Sequence, residues 1–205
     1  MLHPEILTKE QHDLLFFIKR FSKEYGLVGG TAVALQLGHR RSIDFDLFTE
    51  KMFRGILLER KARQIIKIDK VLKNKESEFT FLSHSVKITF FSFPFPIEYS
   101  ERFDDIIKMP SILTIAAMKA FALGRRAKWK DYVDLYFILR DHYTINDIVV
   151  EGKKIFGGEF NSKIFRTQLS YFKDINYDEK VEFLPGFAVS DKKIKSALVA
   201  FSLKN

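Results

Sequence analysis

Apolar residues recur at helical spacing over 10–24, where Leu14, Leu15, Ile18 and Phe21 share a face, so the pattern predicts an amphipathic helix. Gly26-Leu27-Val28 reads as a very short apolar strand, stopped by Gly29-Gly30. Thr31 suits an N-cap for the helical run AVALQL, which ends at Gly38. After the basic connector His39-Arg40-Arg41-Ser42, residues 43–48 alternate Ile-Asp-Phe-Asp-Leu-Phe, the period of a strand. A second amphipathic helix covers 53–66, and short strands rich in β-branched and aromatic residues follow at 79–82 and 85–91. Pro94 and Pro96 make the tail of that stretch an edge or a loop.

From Pro110 the texture becomes helical: 111–126, 130–141, 145–156, roughly 161–172 and 191–203. The expected architecture is α+β. A small mixed sheet flanked by helices occupies 1–108, and a helical region follows over 109–205. Strand order is not legible.

Composition narrows the chemistry. A 46% apolar content is enough for a sizeable core, so disorder is excluded. The absence of cysteine excludes disulfides, a thiol nucleophile and a cysteine zinc site. The net charge of +8 attracts polyanions such as nucleotides or RNA, or an acidic partner. No apolar run approaches the ~20 residues that span a bilayer, and the acidic, interrupted N-terminus is unlike a signal peptide. A cytoplasmic protein with no membrane partner is expected.

Asp44 and Asp46 point to the same side of an extended chain, with about 7 Å between neighbouring β-carbons. Paired carboxylates repel unless a cation lies between them, and Mg²⁺ takes one or two carboxylates, waters and phosphate oxygens. An isolated D-x-D also fits a solvated strand face. Just upstream, strand, Gly29-Gly30, Thr31 and helix place backbone N–H groups at a helix N-terminus where a phosphate can approach. That turn alone also fits an ordinary strand-to-helix connection. The two features together point to phosphate and metal. Arg41 and Ser42, with His39 and Arg40, lie between them and either contact phosphates or form a solvated loop.

A second polar feature sits on an apolar helix. Ile112, Ile115, Ala116, Ala122 and Leu123 form one face of 111–126, and Lys119 lies in its middle. Such a lysine either snorkels or meets an anion. Asp131 and Asp134 begin the next helix on one face with Leu135 and Ile138. Asp131 in the first turn also favours the helix macrodipole.

The run LVGGTAVALQLGHRRSIDFDLF resembles motif I of the AbiEii/AbiGii toxin family of nucleotidyltransferases, within the polymerase-β-like superfamily. The run IAAMKAFALGRRAKWKDYVDLYFIL is similar to the family's second strong motif, Ala-x-x-Lys, a basic turn, then Lys/Arg-Asp-x-x-Asp-Leu. The resemblance implies an NTP held by Gly29, Gly30, Thr31, Arg41, Ser42 and Lys119. It also implies Mg²⁺ or Mn²⁺ on Asp44 and Asp46, catalysis by Asp131, and a supporting role for Asp134. By the same resemblance the chain moves an NMP onto an acceptor such as tRNA, as the toxin partner of an antitoxin. Arg125, Arg126, Lys128 and Lys130, around Trp129, either meet an RNA backbone or form a solvated turn.

One departure stands out. Superfamily members often carry a third carboxylate on a later strand, but SVKITFF has Lys87 and Thr89 at its polar positions. Either Asp131 replaces that acid, or the fold binds nucleotide or RNA without turnover. A protein hydroxyl as acceptor is a further alternative.

Overall fold

The computed structural model describes residues 2–123 and 125–204. It is a mixed α/β structure, and the chain divides into two compact units, 1–111 and 112–205.

The first unit opens with a 3-10 turn at Pro4–Ile6 and helix α1, Lys9–Lys19. Thr8 and Gln11 close a capping box at the start of α1, satisfying two backbone donors that the helix itself leaves open. There follow β1 (Gly26–Val28), α2 (Gly29–Leu37), β2 (Phe45–Thr49), α3 (Gly55–Arg63), β3 (Lys70–Lys75), β4 (Glu78–Ser83) and β5 (Val86–Ser92). The five strands form one sheet in the order β1-β2-β5-β4-β3. All neighbours are antiparallel except β2 and β5, which run parallel. A separate hairpin pairs β6 (Glu101–Phe103) with β7 (Ile107–Met109).

Alternation along the strands divides the main sheet into two faces. Phe45, Leu47, Phe79, Phe81, Ile88 and Phe90 are buried on one of them. Phe17 of α1 and Phe21 just beyond it pack there edge-on: Phe17 lies 6.1 Å from Phe81 and Phe21 lies 4.8 Å from Phe90, the geometry aromatic quadrupoles favour. The opposite face carries Asp46 and Phe48 of β2 beside Thr89 and Phe91 of β5, each pair in register. The apolar face therefore fixes the register, and the register presents the polar residues to the other side.

The second unit contains α4 (Ile112–Leu123), α5 (Trp129–Asp141), α6 (Ile145–Phe156), α7 (Ser162–Leu169) and α8 (Asp191–Ser202). Helix α4 packs on α5, α6 and α7, and α8 on α5 and α7. Thr144, Asn161 and Ser190 each cap the helix that follows with a side-chain oxygen. Among the described residues no helix is long and apolar enough to cross a membrane.

Candidate active site

The polar face is organised around the turn between β1 and α2. Helix α2 begins at Gly29, with Val28 as an N-cap that supplies no side-chain hydrogen bond. Thr31 is thus not the N-cap that its hydroxyl suggested but the third helical residue. Its buried hydroxyl donates to the Asp44 carbonyl, with Ser42 Oγ 3.0 Å away. Thr31 ties the helix start to the segment carrying the first carboxylate, and only its backbone N–H faces the helix opening. The N–H groups of Gly29, Gly30 and Thr31 have no carbonyl four residues back within the helix, which is the basis of anion binding at such a terminus.

Two glycines are required here for different reasons. Gly29 has φ +72°, and a β-carbon on it would overlap Asp46 Oδ2. The Asp46 carboxylate therefore lies directly over the turn, as the pairing of Val28 with Asp46 dictates. A β-carbon on Gly30 would stand 2.9 Å from Arg40 Nη2 and 3.0 Å from Ser42 Oγ. Arg40 is 1% exposed and donates from Nη1 to the Arg41 carbonyl at 2.8 Å. The connector is no solvated loop: His39, Arg40 and Ser42 are all buried. Arg41, the expected phosphate contact, reaches back toward the Glu5 carbonyl at 3.4 Å. The cation set against the glycine turn is Arg40, a placement the alternation of the sequence could not separate from its neighbour's.

Asp44 immediately precedes β2, and Ile43, expected on the apolar face, is exposed. Lys87 Nζ of β5 lies 2.6 Å from Asp44 Oδ2, with the two side chains 32% and 25% exposed. Two residues further along each strand, Thr89 stands opposite Asp46, and its hydroxyl lies 3.4 Å from that of Thr80 on β4. The strand beside the aspartates thus presents an ammonium and a hydroxyl where a third carboxylate was sought. Glu78 is engaged by Lys73 at 2.5 Å and Glu98 is exposed. Two carboxylates on one face, one of them already drawing a cation, suit a divalent ion that completes its shell with waters and phosphate oxygens. Among the described residues no cluster of three or more acids and histidines is arranged to hold a metal without such help.

In the second unit, Lys119 does not snorkel. Its Nζ lies 2.7 Å from Asp131 Oδ1 and 2.7 Å from Asp134 Oδ2, with side-chain exposures of 7, 5 and 0%. An ammonium buried on an apolar face needs such compensation, and two carboxylates brought together need the ammonium. Arg126 Nη2 stands 3.3 Å from Asp131 Oδ2, yet that buried oxygen receives no hydrogen bond. The structure brings Lys119, Asp131 and Asp134 into one ion cluster.

The basic turn before α5 is also compensated internally. Arg125 pairs with Glu159 at 3.3 Å and covers the Phe121 ring at 3.7 Å. Lys128 and Lys130 both meet Glu179, at 2.8 and 3.3 Å. Burial pushes the Glu179 carboxyl up, but hydrogen bonds and charge from the two lysines outweigh it and hold the group at about 2. Trp129 is buried, 5.4 Å from the Tyr177 ring. Each cation of the turn thus has an acidic partner within the same unit. Glu179 gave no sign in the sequence, because it arrives from 51 residues away.

Comparison with solved structures identifies the architecture. MenT4, a nucleotidyltransferase toxin from Mycobacterium tuberculosis, superposes with a TM-score of 0.62 at 12% identity, covering 94% of this chain and 80% of that one. JHP933 from Helicobacter pylori gives 0.54 at 16% identity over 98% and 92% of the two chains. The fold is that of the nucleotidyltransferases. The family described as nucleotidyl transferase AbiEii toxin, type IV toxin–antitoxin system, matches residues 17–184, and the chain belongs to it. An uncharacterized protein of Aquifex aeolicus is 31% identical over 175 residues, covering 82% of this chain and 84% of that relative.

Proposed function

We propose that the protein transfers an NMP from an NTP to an acceptor hydroxyl of RNA, tRNA being the leading candidate, with Mg²⁺ or Mn²⁺ held by Asp44 and Asp46. The observation that carries this reading is the convergence of Asp46, Arg40 and Ser42 on the Gly29-Gly30 turn, with Asp44 just before β2 against Lys87. The backbone N–H groups opening α2 cradle phosphate oxygens, and Arg40 adds fixed positive charge behind them. The bound divalent ion would supply Lewis-acid polarisation of the phosphoryl oxygens. The acceptor oxygen forms a bond to the α-phosphorus, the bond to the β-phosphate oxygen breaks, and pyrophosphate departs. The acceptor proton goes to a carboxylate.

Lys87 has a defined part in this scheme. Its ammonium holds the Asp44 carboxylate in place at 2.6 Å, and would yield that oxygen to a divalent ion. The half-buried rings of Phe48 and Phe91, 5.2 Å apart, continue the same face and offer a nucleobase a stacking surface. An antitoxin partner follows from the family's toxin role.

The test is incubation of the pure protein with each α-labelled NTP, Mg²⁺ and total RNA. Label should enter RNA with one NTP, and Asp44→Ala should abolish it. Label on protein alone would move the acceptor class to a protein hydroxyl. Nucleotide binding without any transfer would favour the silent-fold reading, which draws on the missing strand acid.

A further inference from the structure

Residues 51–75 run from the end of β2 through α3 and β3. They hold nine Lys and Arg against two acids, Glu59 and Asp69, so a net +7 of the chain's +8 lies in this stretch. Arg54, Arg60, Lys61 and Arg63 belong to α3 and its approach; Lys67, Lys70, Lys73 and Lys75 belong to β3 and its approach; Lys51 precedes both. Every one of these side chains is exposed. Lys61, Arg63, Lys67 and Lys73 have acid partners, from 2.5 to 3.7 Å away. Among the described residues, Lys51, Arg54, Arg60, Lys70 and Lys75 make no ion pair.

A few lysines on an outer strand are ordinary, because they discourage a stray strand from adding to the edge. This stretch goes further. β3 is the outer strand of the sheet, and its register shifts between Val71 and Lys73, so its edge is also distorted against strand addition. A peptide partner is therefore not offered a regular backbone ladder. Lysine is depleted from protein–protein interfaces, whereas affinity for a phosphate backbone rises with each cation that displaces a counterion.

We propose that α3 and β3 bind the phosphate backbone of the acceptor RNA, an inference that rests on the RNA reading above. Six residues of β3 span about 20 Å, the length of roughly six phosphates along one strand. From β3 to β2 is three strand spacings, about 14 Å, so an RNA on this track ends within about four nucleotides of Asp44 and Asp46.

The test uses the full chain and R60Q/K70Q/K75Q, three exposed positions outside the NTP site. Binding of fluorescein-labelled total tRNA is followed by anisotropy across a KCl series, and Mg²⁺–NTP binding by thermal shift. The wild type should bind tRNA with log K falling linearly in log[KCl]. The variant's slope should be shallower by about 2–3 and its Kd in about 0.1 M KCl at least tenfold weaker. Its NTP shift should be unchanged. A variant with the wild-type slope and Kd, or a wild type that ignores tRNA at low salt, overturns the proposal. So does polyglutamate binding as tightly as tRNA through these residues, which would assign the surface to an acidic protein. Failure of the wild-type NTP shift would instead sink the transfer reading, leaving the tRNA titration to decide this surface.

Discussion

Gly29 and Asp46 share one volume: the space a β-carbon at residue 29 would take is filled by the Asp46 carboxylate. The carboxylate and the glycine turn are therefore not two motifs that happen to be adjacent. A side chain at 29 would push the carboxylate off the helix opening.

Gly29→Ala should accordingly cost twice. The residue would hold φ +72°, at about 1–2 kcal/mol, and Asp46 would have to move. NTP affinity should fall by at least an order of magnitude, read by calorimetry, with a lowered urea midpoint. Gly30→Ala has ordinary φ and meets only side-chain atoms of Arg40 and Ser42, so its effect should be smaller. Equal effects of the two substitutions would refute the distinction.

Lys87→Ala removes the cation that competes for Asp44. A partly exposed pair is worth at most about 1 kcal/mol, so Mn²⁺ affinity without nucleotide should rise up to ~5-fold. Titration of the Mn²⁺ electron paramagnetic resonance signal measures this directly. Unaltered or weaker Mn²⁺ binding would mean that the divalent ion does not use Asp44.

Lys119→Met keeps an apolar stem of similar length, and from the helix pattern alone it should leave folding intact. The ion cluster reverses that expectation. Two carboxylates with almost no solvent access would lose their shared ammonium, at about 3–5 kcal/mol. Adding Asp131→Asn and Asp134→Asn to that background should recover much of the loss. Chemical denaturation of the three chains decides it. A stable single variant would show that Lys119 is not structural.

Glu179 supplies the pH dependence. Its folded pKa, about 2, lies below the ordinary 4.5, so its contribution is present above about 4.5 and is lost as the pH falls toward 2. With Lys128 and Glu179 each about two-fifths exposed, the effect should be modest and reduced by salt. Trp129 fluorescence in acid denaturation should show this slope in the wild type and a shallower one in Glu179→Gln. Identical curves would remove the pairing as a source of stability.

The helices of the second unit were legible because α4 is a long apolar run, the others carry periodic apolar positions, and three begin at a Thr, Asn or Ser cap. β3 was not. In KVLKNK the only apolar residues, Val71 and Leu72, are adjacent and do not alternate, and it is a strand because the β4 hairpin partner makes it one. The carboxylate pair, the glycine turn and the lysine of the helical half were visible as residue types at a spacing. The partners of the first two were not, since Arg40 and Lys87 are brought in by register and loop paths that periodicity does not encode. The start of α2 misled for a related reason: side-chain capping points to Thr31, but a glycine with positive φ opens the helix without a cap.

The parallel pairing of β2 with β5 has a consequence for the time course of synthesis. Asp44 and Lys87 are neighbours across the sheet but 43 positions apart in the chain. A ribosome that has released the glycine turn and both aspartates has yet to make the strand that lies beside them. Until residues 86–92 emerge and insert between β2 and β4, the nascent segment carries the glycine turn and both aspartates with one wall open. The assembled polar face then arrives with closure of the sheet and not with the appearance of the motif.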